Sequence, residues 1–313
     1  MTLHVLVLAG GLSPERDVSI RSGRRAAEAL RRAQPEWEVT EADVDAGLLD
    51  LLAAHRPDCV VSMLHGAAGE DGSLRDLLES LEIPFLGSDA RASRIAFDKP
   101  VAATIAERLD VNVPEFMVLP QSTFRELGAA SVMAAVVSRI GLPLVVKPTS
   151  GGSALGVSVV RSPADLPSAL VGAFSYGAAA MIQAYVDGTE VAACVSGSPD
   201  ARVLPLVEIC PPDGIYDYAA RYTAGTTEFF CPARLSDDVA EDVRRTALAI
   251  HEGFGLDDWS RSDVIVDGSG TVWFLEVNVA PGMTETSLMP QAIAADGRDV
   301  GDVVADLVRA RTS

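Results

Sequence analysis

Lysine is almost absent from this 313-residue chain: among 25 basic side chains only Lys99 and Lys147 are lysines, and all the others are arginines. The deficit singles out those two positions. A lysine delivers a compact ammonium, the usual point-charge partner of phosphate, where arginine offers a wide planar fork. Basic charge as a whole is scarce. Against 44 acidic residues it leaves a formal net charge of −19, which argues against a nucleic-acid partner. A nucleotide is not excluded, since it needs only local positive groups and a metal. Long apolar runs are missing too, although 48% of residues are hydrophobic, so no segment is predicted to span a bilayer. The start, MTLHVLVLAGG, lacks a basic n-region and reads as a first buried strand, not a signal peptide. Cys59, Cys194, Cys210 and Cys231 show no CxxC or other metal-ligand spacing and read as free thiols of a cytosolic protein. The Walker pattern G-x-x-x-x-G-K-[ST] is absent, and GGLSPE is not the G-x-G-x-x-G of a dinucleotide site. Internal repeats and low-complexity segments are also lacking.

What is present is organised around residues 259–290, WSRSDVIVDGSGTVWFLEVNVAPGMTETSLMP. SRSDVIVD and TVWFLEVNV read as two strands joined by a Gly-Ser-Gly turn. Glu276 and Asn278, two residues apart, share one face, and Asp263 on the partner strand can meet them across the ladder. Two carboxylates and an amide make a hard-oxygen set suited to Mg²⁺, which keeps sites for water and phosphate. Arg261, two residues before Asp263, would stand beside that metal and stabilise transferring phosphoryl charge. The alternative is an acidic hairpin with solvent-facing polar residues.

Upstream, HVLVLA (4–9), a helix from Ser19 to Ala33, a strand at 38–42, a helix at 48–55 and CVVSML (59–64) alternate as βαβ units. The glycine-rich loop HGAAGEDG (65–72) follows at a strand end, where open α/β sheets place ligands, and Ser73 is expected to cap the next helix. From residue 92 the pattern changes. Lys99-Pro100 begins a helix, PEFMVLP is a strand, and one helical stretch runs to Gly141. LPLVVKP carries Lys147 into the loop TSGGSALG (149–156), a flap whose exposed N–H groups can line a triphosphate. Residues 210–235 form a long polar loop, a length typical of functional lids, and Ser236 is the expected N-cap of the helix after it.

R-x-D followed by E-x-N-x-x-P-G-M-T-x-x-S-L-x-P strongly resembles the D-alanine–D-alanine ligases of the ATP-grasp superfamily. Further matches lie at 8–19, 65–72, 99, 147–156, 190 and 216–233. The resemblance implies a three-domain α/β ATP-grasp fold with an N-terminal Rossmann-like (pre-ATP-grasp) domain. Its divisions would be 1–91, 92–186, and 187–313 with an ω-loop. It implies an ATP-dependent, ADP-forming ligase that joins two D-alanines through a D-alanyl phosphate for peptidoglycan. It further implies a cytoplasmic homodimer with Mg²⁺ or Mn²⁺, two ions, and with neither membrane nor nucleic acid as partner. A sister ligase with D-lactate, D-serine or a specialised-metabolism amino acid as second substrate stays open, as does a nucleotide-binding protein that has lost catalysis.

The residues follow by the same resemblance. Glu15, Ser153, Tyr222, Arg261 and Gly282 are the expected catalytic set. Lys99, Lys147, Gln183, Ala184, Val186, Glu190 and Arg221 are expected on ATP, with Tyr185 beside the adenine. Glu15, His65, Ser287 and Leu288 are expected on the substrates, and Asp263, Glu276 and Asn278 on the metal. Two positions depart from the family pattern: Gln183 stands where glutamate is common, and Arg221 where lysine is typical. His4, His55 and His251 have no motif around them and read as structural, and Trp259, Trp273 and Phe274 as core.

Overall fold

The computed structural model describes residues 2–197, 199–212, 216, 221, 223 and 225–313. Its first segment alternates β1 (His4–Ala9), α1 (Arg16–Ala33), β2 (Glu38–Asp43), α2 (Leu48–Ala54), β3 (Cys59–Ser62), α3 (Ala67–Glu70), α4 (Ser73–Ser80) and β4 (Phe85–Leu86). The strands pair in parallel in the order β2-β1-β3-β4. The apolar run of β1 is explained by this inner position, because a parallel strand is buried on both faces. In α1, Val18, Ser22, Ala26 and Leu30 recur every four residues and are all buried, a stripe facing the sheet with arginines opposite. The helix begins at Arg16, ahead of the expected Ser19, because the Ser13–Arg16 turn (Arg16 N–H to Ser13 O, 3.1 Å) runs straight into it. Gly72, at φ +82°, is the N-cap of α4. Ser73 is therefore the first helical residue, not the expected cap.

α5 (Ala90–Phe97) and α6 (Lys99–Arg108) lead to a second, antiparallel sheet. It is built from β5 (Phe116–Pro120), β6 (Leu144–Pro148), β7 (Ser158–Val160) and β8 (Ala179–Ala184), ordered β5-β8-β6-β7. The helical stretch before Gly141 is two helices, α7 (Gln121–Leu127) and α8 (Ala129–Ile140), broken at Gly128 with φ +85°. α9 (Leu166–Phe174) packs on this sheet through Leu166, Ala169, Leu170 and Ala173.

The third sheet holds β9 (Gly188–Ser196), β10 (Arg202–Val203), β11 (Val207–Cys210), β12 (Glu228–Phe230), β13 (Trp259–Asp267) and β14 (Val272–Asn278). Its order is β12-β11-β9-β13-β14, with β10 beside β9. α10 (Asp237–Gly253) covers one face with Val243 and Ala247. Ser236 occupies the N-cap position without a side-chain cap bond. Residues 90–108, which open the second segment in sequence, pack on the third sheet: Ala92, Ala96, Ala102 and Ala106 meet Phe274 and Val277. The last helices, α11 (Leu288–Ala295) and α12 (Val300–Thr312), return to the first sheet. There α12 crosses α1 so closely that a Cβ on Gly301 would lie 2.3 Å from the Ala29 carbonyl oxygen.

An ion pair with a fully buried carboxylate ties α12 to the sheets beside this crossing. Asp258, with no exposed surface, accepts the Gly87 N–H at 2.6 Å and the Arg311 Nε at 2.9 Å. It thereby links β4, β13 and α12. Removing the arginine strands a carboxylate in the interior, which costs about 3 kcal/mol. Arg311→Ala is expected to lower the denaturant midpoint accordingly, while Arg245→Ala, which breaks only an exposed i,i+3 pair on α10, leaves it nearly unchanged.

Candidate active site

β13 is an inner strand, paired with β9 from Trp259–Ser196 to Asp267–Gly188 and with β14 on its other side. The register sets Arg261 opposite Asn278 and Asp263 opposite Glu276, so all four side chains leave one face. Between Asp263 and Val264 the register shifts; Val264 pairs with Phe274, and Leu275 is the extra residue of a β-bulge. The bulge sends Phe274 into the core beside Val277. Leu275 then lines the same cavity as Glu276.

This face is not solvated, because Arg261 and Asp263 are only 8% and 2% exposed. Arg261 grips Asp263 twice, Nε to Oδ1 at 2.7 Å and Nη2 to Oδ2 at 2.8 Å. Glu276 lies 3.3 Å from the Lys99 Nζ. Burial opposes its ionisation, but Lys99, Arg221, Lys147 and Arg261 together hold its carboxyl down at about 2. The Asn278 Oδ1 accepts the Ala280 N–H at 2.7 Å. Among the described residues no three His, Cys, Asp or Glu side chains converge as a self-contained metal site. A set of two carboxylates and an amide matches a cation that is completed by phosphate and water.

Two cavities adjoin here. The larger, about 420 Å³, lies between the second and third sheets and is lined by Lys147, Gln183, Ala184, Tyr185, Val186, Glu190 and Asp263. The smaller, about 70 Å³, is lined by Glu15, His65, Ser153, Arg261, Asn278, Gly282, Ser287 and Leu288. Lys99, Arg221 and Glu276 line both. Every expected site residue within the described part of the chain thus falls on one cavity or on their junction. Tyr222 lies outside the described residues.

In the larger cavity Lys147 is 6% exposed. Burial brings its ammonium down to about 8, against the attraction of Glu276 and with the help of Lys99. Burial likewise raises Glu190 to about 7, against Arg221. Gln183 donates its amide to the Pro114 carbonyl at 3.4 Å. Arg221 donates Nε to the Tyr216 carbonyl at 3.1 Å, and its guanidinium lies 4.5 Å from that ring's centroid. Lys99 donates to the flap carbonyl of Gly151 at 2.5 Å.

The smaller cavity sits at the carboxyl ends of β1 and β3, the neighbouring strands whose connections supply Glu15 and His65. The Ser153 hydroxyl, on a flap residue at φ +53°, donates to Glu15 Oε1. Burial raises the Glu15 pKa, and that hydrogen bond partly offsets it. His65 is held from both sides, Nε2 by the Ser22 hydroxyl at 3.1 Å and Nδ1 by the Ala280 carbonyl at 3.2 Å. Burial lowers its pKa to about 4. The carbonyl accepts Nδ1–H, so the neutral ring uses both nitrogens on protein. It acts as a clamp on the Ala280–Met283 turn, which Met283 N–H to Ser22 Oγ (3.2 Å) reinforces. Sequence reasoning passed over Glu70. It lines this cavity, accepts the Gly66 N–H at 2.8 Å, and is raised to about 8 by burial and then by Glu15. Its signal was an acid inside HGAAGEDG, indistinguishable from a solvated loop acid until the loop is buried.

Comparison with known proteins agrees with this geometry. The family described as D-ala D-ala ligase C-terminus matches residues 105–309. The D-alanine–D-alanine ligase of Anaeromyxobacter dehalogenans is 42% identical over 96% of this chain and 94% of its own. That of Pelotomaculum thermopropionicum is 36% identical over 98% and 96%. The ATP complex of the Bacillus anthracis D-alanine–D-alanine ligase superposes with a TM-score of 0.79 at 27% identity, covering 99% of this chain and 97% of that one. Its ATP-grasp architecture is the one built here from a Rossmann-like parallel sheet and two antiparallel sheets. With that profile covering most of its length and relatives this similar over nearly all of it, the chain belongs to the D-alanine–D-alanine ligase family.

Proposed function

We propose that the protein condenses two D-alanines at the expense of ATP, giving D-alanyl-D-alanine, ADP and phosphate. The observation that carries this reading is the junction of a nucleotide-sized cavity with a small polar one, where Lys99, Arg221 and Glu276 line both. In this reading Gln183, Ala184, Tyr185 and Val186 hold the adenine and Glu190 the ribose. Lys99, Lys147 and Arg221 hold the phosphates. Glu15 binds the first D-alanine's ammonium, which places its carboxylate at the junction to take the γ-phosphoryl group. Arg261 and the Gly282 N–H stabilise the oxyanion formed when the second amine attacks the acyl phosphate, and phosphate then leaves. Ser287 and the Leu288 N–H hold the second carboxylate. Ser153, with Tyr222, ties flap and lid to Glu15 and keeps water from the acyl phosphate.

Asp263, Glu276 and Asn278 would hold one or two divalent ions, Mg²⁺ or Mn²⁺. Their hard-oxygen donors fit, and protein cations already occupy that charge: Arg261 lies on Asp263 and Lys99 on Glu276. When bound, the metal offsets the charge of a triphosphate meeting a carboxylate, a repulsion of about 4 kcal/mol per charge pair at 4 Å and an effective dielectric of 20. The same reading divides the chain at 91/92 and 186/187, supported by three sheets each drawn from one segment. It includes a cytoplasmic homodimer. Among the described residues no helix is long and apolar enough to cross a membrane.

The direct test is product mass after incubation with ATP, Mg²⁺ and D-alanine. Dipeptide and ADP in equal amounts are expected; ADP release independent of D-alanine, with no dipeptide, would reject the assignment.

The scarce lysine yields a pH prediction. Lys147 is charged below about pH 8, and a bound triphosphate favours the charged form. ATP binding therefore takes up a proton, and the dissociation constant rises with pH above 8, up to about tenfold per unit. Lys147→Arg should abolish this alkaline limb, because guanidinium stays charged, yet lower turnover on the order of 10²-fold through misplaced phosphate. Titrating ATP affinity from pH 6.5 to 9.5 in both proteins checks both statements.

For Arg261 the buried pair with Asp263 makes alanine a poor probe, since it strands a carboxylate. Arg261→Lys keeps a cation there but loses the fork. A fall in kcat on the order of 10²-fold, with ATP affinity nearly unchanged and a lowered melting temperature because one of the two bonds to buried Asp263 is lost, is expected from steady-state kinetics and thermal unfolding.

A further inference from the structure

Ser287 stands at the N-cap of α11, yet its hydroxyl makes no cap bond. It is turned back into the PGMTETS turn. There its Oγ accepts the Thr284 N–H at 3.0 Å and lies 2.8 Å from Thr284 Oγ1. A Cβ on Gly282 would sit only 2.7 Å from the same oxygen, so the absence of a side chain at 282 is what leaves room for this arrangement. Thr284 itself is 2% exposed. Besides Ser287 the only other hydrogen-bond partner of its hydroxyl, among the described residues, is Thr286 Oγ1 at 3.5 Å, too long for a good O–H···O bond.

Counting protons decides the polarity. A serine hydroxyl has one donor and two acceptor sites. The Thr284 N–H fills one acceptor site. The Thr284 hydroxyl, buried away from water and without another close acceptor, must donate to Ser287 or remain unsatisfied, which is costly. If it donates, both acceptor sites of Ser287 are filled and the serine proton can only point outward, into the small cavity that Ser287 lines. We propose that Thr284 is a positioning residue that makes Ser287 an obligate donor, tuned to an anionic oxygen and closed to a neutral group needing an acceptor there. It selects a second substrate that carries a free carboxylate. Thr284 does this through Ser287, since it does not itself line the cavity.

This inference rests on the reading that Ser287 meets the second carboxylate, and the experiment separates the two. D-Alanine and D-alanine amide are supplied as competing second substrates after saturation of the first site, and the two products are distinguished by mass. Both have the amine that attacks; only D-alanine has the carboxylate. The unmodified enzyme is expected to prefer D-alanine. Thr284→Val keeps the shape and removes the donor, and should erode that preference about tenfold, the value of a hydrogen bond to a charged group. The loss should appear as a raised KM for the second D-alanine, with the KM for ATP unchanged. Thr284→Ser, which keeps the hydroxyl, should restore the preference. A preference retained in Thr284→Val overturns the role of Thr284 while leaving the carboxylate reading intact. An unmodified enzyme that takes both substrates equally overturns the carboxylate reading, and the inference with it. Thr284→Ala reads the same ratio if the valine variant does not fold.

Discussion

A guanidinium and a carboxylate buried side by side on one strand are expensive unless each is compensated. The Arg261–Asp263 pair on β13 is compensated by geometry: two parallel bonds join the groups, both on an inner strand whose pairing with β9 and β14 fixes the direction of every side chain. The remaining charges depend on that placement. Glu276 stands across the ladder from Asp263 and stays ionised because Lys99, Arg221, Lys147 and Arg261 outweigh its burial. Glu15, Glu70 and Glu190 have raised pKa values, because burial outweighs the neighbouring cations there. The result is a region of alternating buried charge at the junction of the two cavities.

Three sheets meet at this point, and specific interactions hold them there. The first sheet brings Glu15 and the His65 clamp to the carboxyl ends of its strands, and His65 and Ser22 bind the turn after β14, more than 200 residues away in sequence. The second sheet brings Lys147 and the flap, which closes on Glu15 through Ser153. Asp258 and Arg311 tie the back of the assembly, where α12 crosses α1 with no room for a side chain at Gly301. A polar cluster whose members come from different segments keeps its geometry only if those segments are fastened independently of it. Here the Asp258–Arg311 pair and the close crossing at Gly301 are those independent fastenings, and none of the three residues lines either cavity.

Much of this was legible in the linear order of residues. Apolar runs and glycine-rich breaks marked the strands of the first sheet. The two-residue spacing of Glu276 and Asn278 placed them on one face, and the rarity of lysine drew attention to Lys99 and Lys147. These features are local: a strand alternates every two residues, a helix repeats every 3.6, and a compact ammonium differs from a guanidinium in any context. Those properties the sequence by itself determined. Only the tertiary structure decided the rest. The bulge at Leu275 has no local signal, because it arises from fitting β14 to β13. Glu70 differs from any other loop acid only once its loop is buried beside Glu15. His65, which lines the smaller cavity, is also a clamp because Ser22 and Ala280 reach both its nitrogens. Residues 90–108 joined the third sheet because Phe274 and Val277 offered the apolar surface their alanines needed. In each case the deciding quantity was desolvation or a hydrogen-bond partner, and both are set by groups brought together from distant parts of the chain.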